Sequence, residues 1–455
     1  MRLVFDRGTI LLLDPPAHVD VSGFAGALWD ARVGVYRVPG FRAGALRAWL
    51  AQRGVRFVDD TAAPTARPSV WSVPELRPYQ DAALCAWELA RRRGTVVLPT
   101  GSGKTRVAVA AMARLRVPTL CLVPTRALLE QWERTLRAAY TGPLGCYGDG
   151  RHELRPVTLA TFESAYRWMG RLGHRFELLV VDEVHHFGCN QRDEALEMSI
   201  AGARLGLTAT PTPDPAARGR LAQLVGPVVY ELAIGDLAGG FLSAFDVVTL
   251  RLELTPRERA AYEGDMKLFR PVYAEFRRRV LGGSDFVRFA RRTDAGRHAV
   301  EALRRVQRLL ALSEAKRQVT GALLRRQAAR RVLVFTADNA SAYAIAREHL
   351  VMPLTCDIGR REREEALGRF RDGDLRALVS ARVLNEGLDV PEADVAIVVG
   401  GSLGRREHVQ RVGRLLRPRA GKRALVYELV TARTLEVRWA AHRRAGLGPR
   451  DAAGG

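Results

Sequence analysis

Short apolar runs alternate with longer amphipathic segments along most of this chain. Between residues 76 and 232 the runs predict buried strands, and the segments between them predict helices. Such alternation is typical of a parallel sheet with helices on both faces. A second series of the same kind, between residues 332 and 427, predicts a second α/β lobe. The runs are 96–98, 119–123, 157–160, 178–181 and 205–207 in the first lobe, and 332–335, 377–379, 395–399 and 424–427 in the second.

Three segments lie outside these two series. Residues 1 to about 60 alternate short β-like runs with one helix and predict a small α/β unit, and the proline-bearing stretch 61–74 predicts a linker. Residues 255 to about 305 hold no strand-like run and predict basic helices, the first starting near Pro256 and broken by Pro271. We therefore expect three regions: an N-terminal unit with its linker over 1–72, a first lobe over 73–235, and a second lobe over 236–455 with a helical insertion at about 255–305.

The bulk composition is that of a soluble globular protein, with 47% hydrophobic and 26% charged residues. No apolar run approaches a membrane span of about 18 residues, and the run 9–13 lacks the flanks of a signal peptide. The five cysteines are dispersed and contain no C-x-x-C pair, which disfavours a disulfide framework or a zinc site. We expect a cytoplasmic protein with no membrane partner.

The net charge of +22 is concentrated in two segments. Residues 270–331 carry 17 basic and 5 acidic residues, and residues 401–450 carry 13 and 3. The remaining 41 basic and 41 acidic residues cancel, so these two segments hold the whole excess. Concentrated basic surfaces indicate a polyanion partner, and nucleic acid is favoured over a merely solvated helix face.

A glycine-rich turn joins the strand at 96–98 to a predicted helix. Backbone N–H groups of such a turn wrap phosphates, the ammonium of Lys104 reaches the β and γ oxygens, and the Thr105 hydroxyl can bind Mg²⁺. Position 98 is Leu, where the strict pattern has Gly. Only four of the 71 basic residues are lysines, and one of them is Lys104. The remaining residues of the predicted phosphate cradle are Thr100, Gly101, Ser102 and Gly103.

Two acidic residues end the strand at 178–181. Because this places both carboxylates at the carboxyl edge of the sheet, beside the phosphate turn, Asp182 is predicted to hold Mg²⁺ and Glu183 to deprotonate the attacking water. A transition-metal site at His185, His186 and Cys189 is disfavoured, since no fourth ligand accompanies them.

A basic helix is predicted at 410–417. Arg414 and Arg417 share one face, where two guanidinium groups suit the charge that develops on a transferring γ-phosphate. Taken alone, this would be a basic surface helix. Together, the cradle, the acids and these arginines predict an ATP site, with Mg²⁺, shared by two lobes.

The order of these motifs resembles that of a superfamily 2 helicase, and within that group the XPB (xeroderma pigmentosum group B) branch in a short prokaryotic form. The resemblance covers nearly the whole chain. It implies two RecA-like lobes, an N-terminal damage-recognition domain and a thumb formed by the helical insertion. The segments that carry it are 77–80, 99–105, 124–126, 182–185, 204–210, 385–391 and 410–417.

The resemblance also implies roles for single residues. Some would contact the nucleotide, some would couple the γ-phosphate to movement of the lobes, and others would touch DNA. The nucleotide contacts are Arg77 and Gln80 at adenine, Gly387 and Asp389 in the cleft, and Gln410 beside the two arginines. The coupling residues are His185, Thr208 and Thr210, and the DNA contacts are Thr125, Arg126 and Thr161 on the tracked strand and Arg277, Arg278 and Arg279 on the thumb.

Two positions depart from the pattern of this branch. An Arg-Glu-Asp triad associated with duplex opening is replaced by the segment 213–215, which reads Pro-Asp-Pro, so strand separation is less secure than ATP hydrolysis. Six residues before Gly387, where a hydroxyl residue is frequent, the chain has Ala381 next to Ser380.

The expected function is that of an ATP-driven DNA translocase, and the family resemblance implies a role in excision-type DNA repair. Other functions remain as alternatives. An RNA helicase would share the core, and a motor subunit of a restriction or defence complex would need its partner. A non-catalytic DNA-binding adaptor is disfavoured by the intact ATP-site residues. The E-x-K spacing at 314–316 occurs in some nucleases, but surface charge is the preferred interpretation, so nuclease activity would come from a partner. We expect a monomer.

Overall fold

The computed structural model describes residues 1–63, 66–67, 70–148, 150–189, 191–212, 214–237, 244–279, 286–381, 393–400 and 423–444. The chain divides into two compact units, the first over Met1–Leu232 and the second starting at Ala233. Five predicted site residues, Gly387, Asp389, Gln410, Arg414 and Arg417, lie outside the described residues.

A small sheet with one helix opens the first unit. Its elements are β1 (Arg2–Asp6), β2 (Thr9–Leu13), β3 (Leu28–Asp30), β4 (Val35–Pro39), α1 (Ala43–Gln52) and β5 (Val58–Asp60). The strand order is β3-β4-β2-β1-β5, with β1 antiparallel to β2 and parallel to β5. Alternating residues of β1 and β2, such as Leu3, Ile10 and Leu12, are buried against Leu46 and Leu50 of α1.

The N-terminal sheet packs directly on the rest of the first unit. A Cβ atom at Gly40 would lie 2.7 Å from the carbonyl oxygen of Met198, so only glycine permits this approach. Ile200 belongs to the N-terminal hydrophobic core, and the Phe5 and His174 rings stack with centroids 4.6 Å apart. This contact is therefore close-packed rather than a loose tether.

The main sheet of the first unit carries the candidate chemistry. Its strands are β6 (Arg93–Val97), β7 (Thr119–Val123), β8 (Leu144–Gly148), β9 (Arg151–Glu153), β10 (Val157–Thr161), β11 (Leu178–Asp182), β12 (Ala203–Thr208) and β13 (Val228–Glu231). Their order is β13-β6-β12-β11-β7-β10-β8-β9, parallel except that β9 is antiparallel to β8. The central strands β7, β10 and β11 are buried throughout, as near-continuous apolar runs in a parallel sheet should be.

Helices connect these strands. They are α2 (Pro78–Leu89), α3 (Lys104–Leu115), α4 (Arg126–Ala139), α5 (Phe162–Leu172), α6 (Asp193–Glu197) and α7 (Pro215–Leu224). Each of α3, α4 and α5 starts just after a parallel strand ends, so their N-termini lie at the carboxyl edge of the sheet.

The second unit is built on another parallel sheet. Its strands are β14 (Ala244–Leu252), β15 (Val332–Phe335), β16 (Met352–Leu354), β17 (Ala377–Ser380), β18 (Val395–Val398) and β19 (Arg423–Thr431). Their order is β14-β19-β18-β15-β17-β16, and neighbouring strands in this order are parallel. The predicted α/β class with two parallel-sheet lobes is confirmed.

Helices make up the other described elements of the second unit. They are α8 (Ile234–Leu237), α9 (Pro256–Arg279), α10 (Phe286–Ala290), α11 (Asp294–Ala311), α12 (Glu314–Arg326), α13 (Asn339–His349), α14 (Arg360–Asp372) and α15 (Leu435–Arg444). The prediction that Pro271 breaks the first helix is wrong, because α9 continues through it. Packing of Met266 and Phe269 against Val306 and Leu310 of α11 offsets the backbone hydrogen bond that proline cannot donate.

None of the helices in the described ranges is long and apolar enough to cross a membrane.

Candidate active site

The turn between β6 and α3 has the backbone of a phosphate cradle. Gly101 and Gly103 have φ angles of 84° and 80°, a region that favours glycine. Gly103 is the N-cap of α3, so Lys104 is the first residue of the helix. A Cβ atom at position 103 would lie 2.5 Å from Nε2 of Gln80, so a larger residue would also displace the end of that side chain. The absence of glycine at position 98 does not disturb this turn.

Side chains beneath the turn hold it in place. Nε2 of Gln80 and the hydroxyl of Tyr79 both donate to the carbonyl oxygen of Ser102, each at 2.7 Å. Oε1 of Gln80 accepts from the backbone N–H of Arg77 at 2.9 Å. The structure thus places Gln80, which is 1% exposed, against the turn at the start of α2. The predicted contact of Gln80 and Arg77 with adenine stays a prediction.

Lys104 lies over the same turn. Its ammonium donates to the carbonyl oxygens of Leu98, at 3.2 Å, and Pro99, at 3.5 Å. The side chain of Ser102 donates to Pro99 at 2.6 Å, which closes the turn. These bonds hold the ammonium against the turn. The half-buried Thr105 follows in the first turn of α3.

Asp182 ends β11 and is buried, with 6% of its surface exposed. Its Oδ2 accepts from the indole N–H of Trp132 at 2.8 Å, and its Oδ1 accepts from the backbone N–H of Glu183 at 3.0 Å. Burial raises the pKa of this carboxyl, while the Trp132 bond, the charge of Lys104 and the Glu183 N–H act to lower it. Lys104 and Asp182 therefore influence each other across the edge of the sheet.

Trp132 is the residue of this site that sequence reasoning missed. It lies on α4, whose buried face consists of Leu129, Trp132 and Leu136 at helical spacing. That spacing predicts an ordinary core position, and nothing in the sequence distinguishes a tryptophan whose N–H is needed from one that only fills space. The side chain is 1% exposed.

A buried polar network links Glu183 to the neighbouring strand. Oε2 of Glu183 lies 3.3 Å from Nδ1 of His185, and that nitrogen lies 2.9 Å from the Thr208 hydroxyl. The Thr208 hydroxyl donates to the carbonyl of Thr210 at 2.9 Å. Glu183 has a φ of 50°, a left-handed conformation that is costly for a residue with a side chain. Strain of this kind is typical of functional positions.

Sheet order explains why these residues meet. Strand β12 lies between β6 and β11, with Thr208 paired to Val97 and Leu207 paired to Asp182. The carboxyl ends of the three strands therefore bring the cradle, the two acids and the His185 network to one edge. This is the usual location of ligands in open parallel sheets.

The three residues predicted to touch the tracked strand lie at the same edge. Thr125 is the N-cap of α4 and Thr161 the N-cap of α5, with hydroxyls that accept from Leu128 at 3.3 Å and Ser164 at 3.2 Å. Arg126 is exposed beside Thr125. Strands β7 and β10 are neighbours, so two helix N-termini, which favour anions, lie side by side.

Over the described ranges, no group of three or more His, Cys, Asp and Glu side chains could hold a metal ion. Instead, the rings of His185 and His186 stack 4.4 Å apart. At the E-x-K spacing, Lys316 pairs with Glu436 at 2.7 Å and is wholly buried, so the expectation of surface charge there is wrong for this lysine.

The remaining predicted positions lie elsewhere. Arg277, Arg278 and Arg279 are exposed at the end of α9, where Arg279 pairs with Glu275 at 2.9 Å. Asp214, at the position of the missing triad, is the N-cap of α7 and accepts from the N–H of Ala217 at 3.0 Å.

Three known families match parts of the chain. The Xeroderma pigmentosum group B helicase damage recognition domain matches residues 3–61, the res subunit of type III restriction enzymes matches residues 74–213, and the helicase conserved C-terminal domain matches residues 315–419. The chain is 33% identical over 422 residues to the DNA 3'-5' translocase XPB2 of Sulfurisphaera tokodaii, covering 92% of this chain and 96% of that protein. This chain belongs to the XPB family of superfamily 2 helicases.

Another member of the family and two solved structures are also similar to this chain. This chain is also 30% identical over 415 residues to the DNA 3'-5' helicase XPB of Mycobacterium tuberculosis, covering 88% of this chain and 68% of that protein. The Hef helicase domain of Pyrococcus furiosus superimposes with a TM-score of 0.51 at 18% identity, covering 80% of this chain and 97% of that one. S. cerevisiae Dbp5 bound to RNA and ADP BeF3 superimposes with a TM-score of 0.56 at 15% identity, covering 82% of this chain and 88% of that one. At these identities the likeness establishes the fold alone, that of a helicase core with two RecA-like lobes.

Proposed function

We propose that this XPB-family chain is an ATP-driven DNA translocase that moves along or locally opens duplex DNA and acts in excision-type DNA repair. The observation that carries the proposal is the meeting of Lys104, Asp182 and Glu183 at one edge of a parallel sheet. The names of its relatives, a DNA 3'-5' translocase and a DNA 3'-5' helicase, support DNA as the track.

The residues present fit ATP with Mg²⁺. Gly101 and Gly103 give the turn room for phosphate oxygens, and the ammonium of Lys104 supplies the charge that such a group requires. Asp182 and Thr105 would hold Mg²⁺, because a carboxylate and a hydroxyl are oxygen ligands of the kind that this ion prefers. Bound there, the ion would neutralise charge on the phosphates during hydrolysis.

Glu183 acts as the base in this proposal. Its carboxylate takes the proton of the attacking water, and Nδ1 of His185 lies 3.3 Å from the Oε2 atom of that carboxylate. Because His185 also bonds the Thr208 hydroxyl, any shift of Glu183 is passed to the loop that contains Thr210. Coupling of hydrolysis to movement is proposed to follow this route.

Helix α4 provides a second connection, between the proposed DNA contact and the ATP site. Its first turn, with Thr125 and Arg126, is where we propose that the DNA backbone is held, and Trp132 on the same helix bonds Asp182. A displacement of α4 by DNA would therefore reach the carboxylate that holds the metal. This supports stimulation of hydrolysis by DNA.

The second lobe completes the proposed site. Arg414 and Arg417 would stabilise charge on the transferring phosphate, with Gln410, Gly387 and Asp389 nearby, as the family resemblance implies. The proposal includes domain boundaries at 72 and 235 and a thumb at about 255–305. It also includes a monomeric state, a separate nuclease partner and a cytoplasmic location.

The deciding experiment is steady-state ATP hydrolysis with no nucleic acid, single-stranded DNA, forked duplex or RNA. Selective stimulation by DNA that disappears in Glu183→Gln and in Lys104→Ala is expected. RNA-selective stimulation would replace the proposal with the RNA helicase, and DNA-stimulated hydrolysis that persists in Lys104→Ala would refute the assigned site. The full-length match to XPB translocases disfavours the restriction-complex alternative.

A further inference from the structure

A basic cavity lies at the edge of the first-unit sheet opposite the candidate active site. Its volume is about 490 Å³, and its lining includes residues that precede or open four parallel strands: Arg92 at β6, Pro118 at β7, Glu177 at β11 and Gly202 at β12. Arg47 of α1 contributes from the N-terminal unit. Five-residue strands that rise about 3.3 Å per residue separate this edge from the carboxyl edge by about 16 Å. The cavity is therefore distinct from the proposed ATP and DNA contacts.

The charge of the cavity is strongly positive. Four arginines line it, Arg47, Arg91, Arg92 and Arg175, against one carboxylate, Glu177, so the lining carries a net charge of +3. The guanidinium of Arg47 is already bonded to Asp59 and to Thr61, at 2.5 and 2.7 Å. Arg91 and Arg92 are exposed. These two side chains are consequently the best placed to receive an anionic ligand.

Arg91 and Arg92 occupy unfavourable backbone conformations. Their φ angles are 56° and 60°, in the tight turn between α2 and β6. A left-handed conformation is unfavourable for a residue with a side chain, and this cost is avoided by glycine and reduced by asparagine. Backbone bonds from Arg91 to the Glu88 carbonyl, at 3.1 Å, and from Arg92 to the Trp87 carbonyl, at 3.0 Å, hold the turn. The turn thus holds two adjacent arginines at the lining of the cavity.

The floor of the cavity is apolar. Leu115 and Val117 are half-buried, and Phe176 and Ile200 are buried beside them. A rim of guanidinium groups around an apolar floor accepts carboxylates and an apolar side chain at the same time. Duplex DNA offers charge on a broad convex rod, which cannot enter a cavity of this size. The strand that we propose is tracked at Thr125 lies at the other edge of the sheet.

We propose that this cavity binds an acidic segment of a partner protein, with carboxylates of that segment on Arg91 and Arg92 and an apolar side chain on Leu115 and Val117. The site would recruit a partner without occupying the ATP site. It is independent of the proposed function, since it requires neither nucleotide nor DNA.

The test uses the full chain and a substitution that relieves the strained turn. Arg91→Asn with Arg92→Gly removes both charges and gives the turn residues that tolerate a positive φ, so this variant is expected to be at least as stable as the parent. Arg116→Asn is the matched control, because Arg116 is also exposed and left-handed, with a φ of 50°, and is not among the residues that line the cavity. Thermal unfolding checks the fold of both variants.

The probe is a fluorescein-labelled peptide of Glu and Asp around a single Phe, with its Gln and Asn version as the neutral peptide. Fluorescence anisotropy should show salt-sensitive binding of the acidic peptide, weakened about tenfold in the double variant, as expected for two partly exposed ion pairs, and unchanged in Arg116→Asn. Affinity for duplex DNA should stay the same in all three proteins. Equal binding of the neutral peptide, or unaltered acidic-peptide binding by the double variant, would overturn the proposal. A selective loss of DNA affinity would make the cavity a nucleic-acid contact instead.

Discussion

Trp132→Phe is the most informative single substitution in this protein. Phenylalanine keeps an aromatic ring in the buried position but removes the N–H that donates to Asp182 at 2.8 Å. A hydrogen bond to a charged group contributes about 1.5–3 kcal/mol. If Asp182 holds Mg²⁺, loss of the bond loosens the carboxylate, and the same energy corresponds to roughly a 10- to 100-fold change in a binding constant.

The chain supplies a matched control in Trp87→Phe. Trp87 is also wholly buried, and its indole N–H donates at the same distance, 2.8 Å, to the carbonyl oxygen of Arg204. That acceptor is neutral, so the bond is expected to contribute only about 0.5–1.5 kcal/mol. Both variants lose a similar volume from the first unit. A difference between them therefore reports on Asp182 rather than on packing.

The assay titrates Mg²⁺ against two readouts, DNA-stimulated ATP hydrolysis and anisotropy of a fluorescent ATP analogue. We expect the half-saturating Mg²⁺ concentration to rise at least tenfold in Trp132→Phe and to stay unchanged in Trp87→Phe. Analogue binding in EDTA should be equal in all three proteins. A shared Mg²⁺ defect, or none in Trp132→Phe, would show that the indole does not position the carboxylate.

The pH dependence of hydrolysis tests the same hydrogen bond between Trp132 and Asp182 independently. Burial raises the pKa of Asp182, and the Trp132 bond opposes that rise by favouring the ionised form. Removing the bond raises the pKa of Asp182 further. The ionised carboxylate is the form that binds a cation, so hydrolysis by Trp132→Phe should fail at a higher pH than that of the parent as the solution is acidified.

Three further predictions test separate parts of the chain. Lys316→Met leaves the buried carboxylate of Glu436 without its ion pair, so the free energy of unfolding in urea should fall by about 3–5 kcal/mol, and Lys316→Met with Glu436→Gln should recover most of it. Gly103→Ala forces a Cβ atom against Gln80 at a positive φ, and equilibrium binding of ATP should be lost while circular dichroism is unchanged. Replacing Arg277–Arg279 with glutamates should weaken DNA binding and lower its dependence on salt, and a salt series with unaltered slope would contradict the thumb contact.

The hydrophobic pattern predicted the strands that are buried on both faces. It predicted strands with mixed apolar and polar residues less well. The predicted runs 119–123 and 332–335 coincide with strands β7 and β15 at both ends. The nine-residue strand β14 was missed because apolar and polar residues are mixed along it, and because its partner, β19, lies more than 170 residues away in sequence. Local patterns cannot report a pairing that depends on such a distant segment.

The residues of the candidate site likewise include some that the sequence predicted and some that it did not. Lys104, Asp182 and Glu183 were predictable because their chemistry is tied to a strand end followed by a fixed turn. Trp132 was not, since its position in the helix is that of a core residue and only the three-dimensional contact with Asp182 gives it a role. The left-handed conformation of Glu183 is equally invisible in the sequence.

Residue types that a chain uses rarely become informative when their contacts are known. This protein has 67 arginines and only four lysines, and two of the lysines make contacts that a compact ammonium suits better than a planar guanidinium. Lys104 donates to two carbonyl oxygens of its own turn, and Lys316 donates to the Leu310 carbonyl, at 2.5 Å, and to Glu436 in a fully buried position. A broad bias toward arginine would remove lysine wherever the two are interchangeable. The lysines retained at these two positions therefore mark places where geometry, and not charge alone, decides the residue, and the one in the phosphate cradle is the one that the proposed chemistry requires.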